Sequence, residues 1–252
     1  MRPIVIKVGG GTLVGGALED LPGIVGAGRR VALVHGGGPQ LTRVLDALGI
    51  PTRFHEGLRV TDDQTLEVAE MVYAGSVNKA LVRELNALEV PAVGISGTDG
   101  PTLLVDPVAG LGRVGEVAQV KPALVHAIWA GGFVPVVAPL GLGPEGAYNV
   151  NADAAAAALA VGLGADRLFL LTDVDGLLKD GSPIESVAPE ECEGYVASGL
   201  AAGGMVPKLR AAAEAARGGV EARIINGNTE RVLAAAIAGE KVGTLVSEGV
   251  VA

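Results

Sequence analysis

The sequence predicts an α/β fold: a mostly parallel sheet with helices on both faces. Three observations lead to it. Short apolar runs punctuated by glycine recur along the chain, and helix-like segments separate them. About half of the 252 residues are apolar (49%) but only 3% are aromatic, so the core must be built from Ala, Val, Leu and Ile, which suits helices lying on a buried parallel sheet.

The expected strands, in order, are "PIVIKV" at 3–8, "VALVH" at 31–35, "PAVGIS" at 91–96, "FVPVVAPL" at 133–140, "RLFLLT" at 167–172 and "ARIIN" at 222–226. Between the second and third lies "PQLTRVLDALG", where Leu41, Val44, Leu45 and Leu48 fall on one helical face and Pro39 suits the first turn. Further helices are expected near 62–88, 122–130, 153–163, 207–217 and 229–238. Two segments break the rhythm, "PTRFHEGLRVTD" at 51–62 and "TLLVDPVAGLGRVGEVAQV" at 102–120; both read as hairpins or lids projecting from the sheet. The alanine run 154–158 is a good helix former, and a lobe boundary is placed near 165, in "GLGAD". The lobes are then 1–165 and 166–252, sharing one continuous sheet.

Composition removes several function classes. The formal net charge is −9 with no concentrated basic stretch, which argues against nucleic acid as a partner. One cysteine, Cys192, excludes an intramolecular disulfide and a cysteine zinc cluster. No apolar run approaches a membrane span and no cleavable leader is evident, so a cytoplasmic, soluble chain is expected. His35, His55 and His126 lack metal-ligand spacing, and no metal-binding set is expected from the protein itself. A G-x-G-x-x-G fingerprint fails, because Val14 and Leu41 stand where its last glycine would be.

The candidate site residues follow the strands, where open parallel sheets collect their ligands. "KVGGG" and "VHGGGPQL" place glycine triplets directly after the first two strands. Gly9, Gly10, Gly37 and Gly38 can turn backbone N–H groups toward an anion, or can form tight turns only. Lys7 stands in a strand otherwise made of Ile and Val; its ammonium must reach solvent or an anion at the strand end. Asn149, Asn151 and Asp153 alternate, so an extended segment turns all three one way, with Asp153 also a natural helix N-cap. Lys208 lies at the start of a helix after Gly203 and Gly204, a poor place for a cation unless an anion is bound, and Arg59 in the expected lid can grip a carboxylate.

Taken in order, "IKVGGG", "VHGGGPQL", "GLRVTD", "VNKALV", "NVNADAAAAALA", "LLTDVDGLL" and "GGMVPKLRAA" resemble the acetylglutamate kinases of the amino acid kinase family over essentially the whole chain. The resemblance implies a three-layer αβα sandwich, an N-terminal lobe for N-acetyl-L-glutamate and a C-terminal lobe for ATP with Mg²⁺. It implies that Lys7 and Lys208 bind phosphate oxygens, that Asp153 orients both, and that Arg59, Asn149 and Asn151 hold substrate carboxylate. Gly9, Gly10, Gly37 and Gly38 would offer N–H groups, and Thr172 and Asp173 would stand at the nucleotide. The implied reaction is transfer of the γ-phosphoryl group to the side-chain carboxylate, for arginine synthesis. Rival implications are a kinase for carrier-protein-linked aminoadipate in lysine synthesis and a non-catalytic amino-acid sensor of the same fold. Arginine-inhibited relatives carry a helix before the first strand that joins dimers into a hexamer. Here that strand begins at about Pro3, and the expectation is a homodimer with weak or no arginine feedback.

Overall fold

The computed structural model describes residues 1–9 and 16–249. Its centre is an eight-stranded sheet in the order Ser186–Val187, Thr244–Val246, Glu221–Asn226, Arg167–Thr172, Ile4–Val8, Val31–His35, Val134–Ala138, Ala92–Ser96. Every neighbouring pair is parallel except Glu221–Asn226 with Thr244–Val246. Strands from before residue 165 occupy one side of the sheet and those from after it the other, meeting where Ile4–Val8 pairs with Arg167–Thr172.

The first strand shows why both faces are covered. All five residues are buried, and the two-residue period sends Ile4, Ile6 and Val8 into a core with Leu21, Leu81, Leu85 and Leu233. Val5 points the other way, into a core with Ala155, Ala156, Leu159, Leu209 and Ala212. Lys7 shares the parity of Val5, so the strand alone aims it toward the helices Ala152–Gly162 and Met205–Arg217. Those helices pack on each other through alanine: Ala155, Ala156, Ala157 and Ala160 on one, Ala211, Ala212, Ala213, Ala215 and Ala216 on the other. Small side chains let the helix axes approach. Because each helix feeds a parallel strand of one sheet, both helix N-termini lie at the strands' carboxyl ends.

The strands at 31–35 and 167–172 match the sequence reading residue for residue. The expected strand at 133–140 divides at Pro139, which has no N–H to give a ladder: Val134–Ala138 stays in the sheet and Leu140–Gly143 leaves it. The segment at 102–120 is a hairpin, Leu103–Pro107 with Val114–Val120, yet it is not a projecting lid. It closes a four-stranded barrel with Leu140–Gly143 and Gly146–Val150, because Leu103, Val105, Val114, Tyr148 and Val150 need a common interior. The segment at 51–62 is a hairpin of two-residue strands, Phe54–His55 and Leu58–Arg59. Its turn has φ of 48° at Glu56 and 82° at Gly57, a left-handed pair that glycine makes inexpensive. The helix expected at 62–88 begins after Asp62, whose carboxylate caps Thr65 N at 2.8 Å, and contains a π-helical stretch at Met71–Val77 between Asp63–Glu70 and Asn78–Ala87. No helix among the described residues is long and apolar enough to cross a membrane.

Candidate active site

At the carboxyl ends of the central strands lies a cavity of about 360 Å³. Lys7, Gly37, Gly38, Arg59, Asn149, Asn151, Asp153 and Lys208 line it, drawn from segments up to 201 residues apart in sequence. The charged centre is compact. Lys7 Nζ stands 2.9 Å from Asp153 Oδ1, and Lys208 Nζ stands 3.3 Å from Asp153 Oδ2. Lys7 and Asp153 are each only 5% exposed.

Two ammonium groups therefore share one carboxylate, which leaves a positive charge in excess inside a buried cluster. Burial holds the Lys7 pKa below that of an ordinary lysine; Asp153 opposes the shift and Lys208 adds to it. An uncompensated buried cation is costly, and the two helix N-termini beside it add more positive potential. Every term favours an incoming anion.

The structure revises one local assignment. Asn151, not Asp153, caps the helix: its Oδ1 accepts from Asp153 N at 2.9 Å and Ala154 N at 3.1 Å. Asp153 is thereby the second residue of the helix, and its carboxylate is released for the lysines. The cap occupies Oδ1 of Asn151, so Nδ2 is what this side chain can offer a ligand. Asn149 ends the preceding strand and donates to Thr61 Oγ1 at 3.1 Å. As the alternation suggested, all three residues face the cavity.

Arg59 reaches the opposite wall from the hairpin. Its guanidinium donates to Thr52 Oγ1 (3.1 Å), Thr42 Oγ1 (2.7 Å) and Gly38 O (3.2 Å), and it lies over its cross-strand partner Phe54, 4.8 Å from the ring centroid. These contacts fix the fork in one orientation before any ligand arrives. Gly37 precedes the helix Gly38–Ala47 and has no room for a side chain, since a Cβ would come within 2.8 Å of the Tyr73 ring.

Beneath the second glycine turn, His35 is fully buried. Its Nδ1 donates to Gly36 O at 2.7 Å and its Nε2 accepts from Asn78 Nδ2 at 3.1 Å, an arrangement that requires the neutral ring. Burial lowers its pKa to about 4, more than the Gly36 carbonyl raises it, with Lys79 and Lys7 adding to the decrease. Asn78 in turn donates to Val136 O at 2.9 Å, which ties the turn to the sheet.

The remaining predicted residues lie apart from the cavity lining. Thr172 ends its strand two positions beyond the Lys7–Leu170 pair, and its hydroxyl donates to Asp173 Oδ1 at 3.2 Å. Gly10 lies outside the described residues. The sequence reading missed Tyr73, Phe54, Pro139 and Pro207, which also line the cavity, as well as the His35–Asn78 pair below it. Phe54, Pro139 and Pro207 carry no signal separating them from packing residues.

Comparison with known proteins identifies the family. The profile of the amino acid kinase family matches residues 2–226. The chain is 70% identical over 248 residues to a protein named acetylglutamate kinase from Rubrobacter xylanophilus, covering 98% of each. It is 42% identical over 260 residues to an acetylglutamate kinase from Syntrophomonas wolfei, covering 97% of this chain and 91% of that one. The crystal structure of smu.665 from Streptococcus mutans superposes with a TM-score of 0.87 at 27% identity, covering 97% of this chain and 98% of that one. A full-length match at 70% identity and a family profile spanning the cavity residues leave one assignment: the chain belongs to the amino acid kinase family, and within it to the acetylglutamate kinases.

Proposed function

We propose that the cavity phosphorylates the side-chain carboxylate of N-acetyl-L-glutamate at the expense of ATP, the acyl-phosphate-forming step of arginine synthesis. The observation that carries this reading is the Lys7–Asp153–Lys208 cluster, a buried excess of positive charge facing an arginine across one cavity. In this reading Arg59, Asn149 and Asn151 hold the acetylated amino acid by its α-carboxylate and amide. The γ-carboxylate is already ionised at neutral pH, so it needs no general base. One of its oxygens bonds to the γ-phosphorus while the bridging P–O bond of ATP breaks and ADP departs.

Negative charge spreads over the transferring group during that exchange, and Lys7 and Lys208 neutralise it. Asp153 keeps both ammonium groups aimed at one point. Glycine N–H groups of the two turns add donors without adding volume. Gly9, Gly10, Thr172 and Asp173 are assigned to the nucleotide, which divides the chain into an acetylglutamate lobe at 1–165 and a nucleotide lobe at 166–252. Among the described residues no three acidic, histidine or cysteine side chains converge to hold a metal ion. The lysines and helix N-termini suit phosphate oxygens, so the Mg²⁺ that accompanies ATP is assigned to the phosphates and water.

Trapping the product with hydroxylamine tests the reading. Hydroxamate should form with acetylglutamate and ATP, and much less with glutamate, aspartate or a carrier-linked aminoadipate. No turnover with acetylglutamate, or preference for the carrier-linked acid, would overturn it.

A further inference from the structure

The helical region 63–87 bears a feature that the charged cluster does not explain. Leu66, Ala69, Tyr73, Val77, Leu81 and Leu85 form one buried row on it. Leu66 and Leu85 stand nineteen residues apart over five turns, where 3.6 residues per turn gives eighteen. The additional residue is taken up in the π-helical stretch Met71–Val77, and such widened turns are frequent at functional sites. Tyr73 sits in it.

Tyr73 is 6% exposed, and what it exposes lines the charged cavity. Its ring edge occupies the space a side chain at Gly37 would need. Tyr73 shares the lining of this cavity with Arg59; burial raises its phenol pKa, and the Arg59 charge offsets only part of that rise. The phenol therefore stays protonated across the neutral range. A protonated phenol has an O–H to donate, and in this cavity the group it can meet is a substrate anion held by Arg59.

We propose that Tyr73 is a substrate-positioning and specificity-determining residue, whose hydroxyl donates to the α-carboxylate gripped by Arg59 while its ring holds the glycine turn. The proposal rests on the acetylglutamate reading above. It assigns to the π-helical stretch the job of delivering one polar atom to a wall otherwise built from the hairpin. A Tyr that only packed against Gly37 would work equally well as Phe.

The test compares wild type, Tyr73→Phe and Tyr73→Leu on N-acetylglutamate and on its α-amide, which keeps the reacting γ-carboxylate but lacks the α-charge. For Tyr73→Phe, KM for acetylglutamate should rise about tenfold, while kcat and KM for ATP stay within about twofold. On the α-amide the Tyr-to-Phe difference should shrink to less than about twofold, because the phenol then meets a neutral carbonyl and the charge-assisted part of the contact is lost. Tyr73→Leu should lower kcat as well, through the loosened turn. An unchanged KM for Tyr73→Phe, or an equal rise on both substrates, overturns the proposal while leaving the kinase reading intact. Absence of turnover by the wild type overturns both.

Discussion

The two ends of the central strands use charge in opposite ways. At the carboxyl end, Lys7 and Lys208 share the single carboxylate of Asp153. At the amino end Arg167 and Arg223 also share one carboxylate, that of Glu221 at 3.7 and 3.8 Å, but there the cations are matched further by main-chain carbonyls. Arg29 pairs with Asp166 at 2.8 Å, Arg167 Nη1 donates to the helix-terminal carbonyls of Ala236 (2.9 Å) and Ile237 (3.0 Å), and Arg223 Nη1 donates to Val242 O at 3.0 Å. One end turns its guanidinium groups onto carboxylates and carbonyls of the protein, and the other aims two ammonium groups into a cavity. The difference separates scaffold from site without reference to any ligand.

The comparison is broken most severely by removing a member of the unmatched cluster. Lys208→Ala should lower kcat about 100- to 1000-fold in steady-state assays, because it removes charge stabilisation made mainly in the transition state. Thermal stability should change little, since the excess charge leaves with it. A variant with full activity would remove Lys208 from the site.

A smaller effect is expected from pH, and it acts on the floor of the carboxyl end. His35 has a folded pKa of about 4 against 6.5 unfolded, so between those values the unfolded chain binds more protons. Stability contributed by the neutral ring is complete above 6.5, declines as the pH falls through that window, and is lost below 4. The total is roughly 3 kcal/mol. Urea titrations from pH 7 to 4 should show this slope, and His35→Gln should flatten it. Lys7 runs in a different window: its folded pKa is lowered, so the cost of its buried charge is present at neutral pH and is relieved as pH rises toward 10.5.

The least effect on chemistry is expected at the matched end. Arg167→Ala frees the carbonyls of Ala236 and Ile237 and should cost about 1–2 kcal/mol by denaturant titration, with kcat unchanged. A loss of kcat at constant stability would show that the two ends are not separate in function.

The parts of this division legible in the sequence are those set by local period and backbone chemistry. Lys7 in an Ile/Val strand, the glycine triplets and the alternation of Asn149, Asn151 and Asp153 each needed only a few residues of context. The alanine run 154–158 reads as a helix former, but its larger effect is spatial: with the alanines at 211–216 it brings two helices close enough for Asp153 to meet Lys208, 55 positions later. That consequence needs the packed fold. The cap assignment failed because both Asn151 and Asp153 are good N-caps, and the need for a carboxylate between two lysines decides which one serves. Ser186–Val187 is too short to show any period, and the barrel was missed because its glycines resemble loop signals. Tyr73 reads as a core aromatic in any local window; only the nineteen-residue spacing of its row marks the widened turn.

The central claim is that the Lys7–Asp153–Lys208 cluster is held in positive excess for a transferring phosphoryl group. Denaturant titration of wild type and Lys208→Met, each with and without a non-hydrolysable ATP analogue and Mg²⁺, tests it most directly. Without nucleotide the variant should be as stable as wild type or more so, because a partly buried cation has been replaced by a neutral chain of similar volume. With nucleotide the wild type should gain about 2–3 kcal/mol at ligand concentrations near 100 times Kd, and the variant far less. A variant that is destabilised without nucleotide, and stabilised by it as much as wild type, would contradict the account.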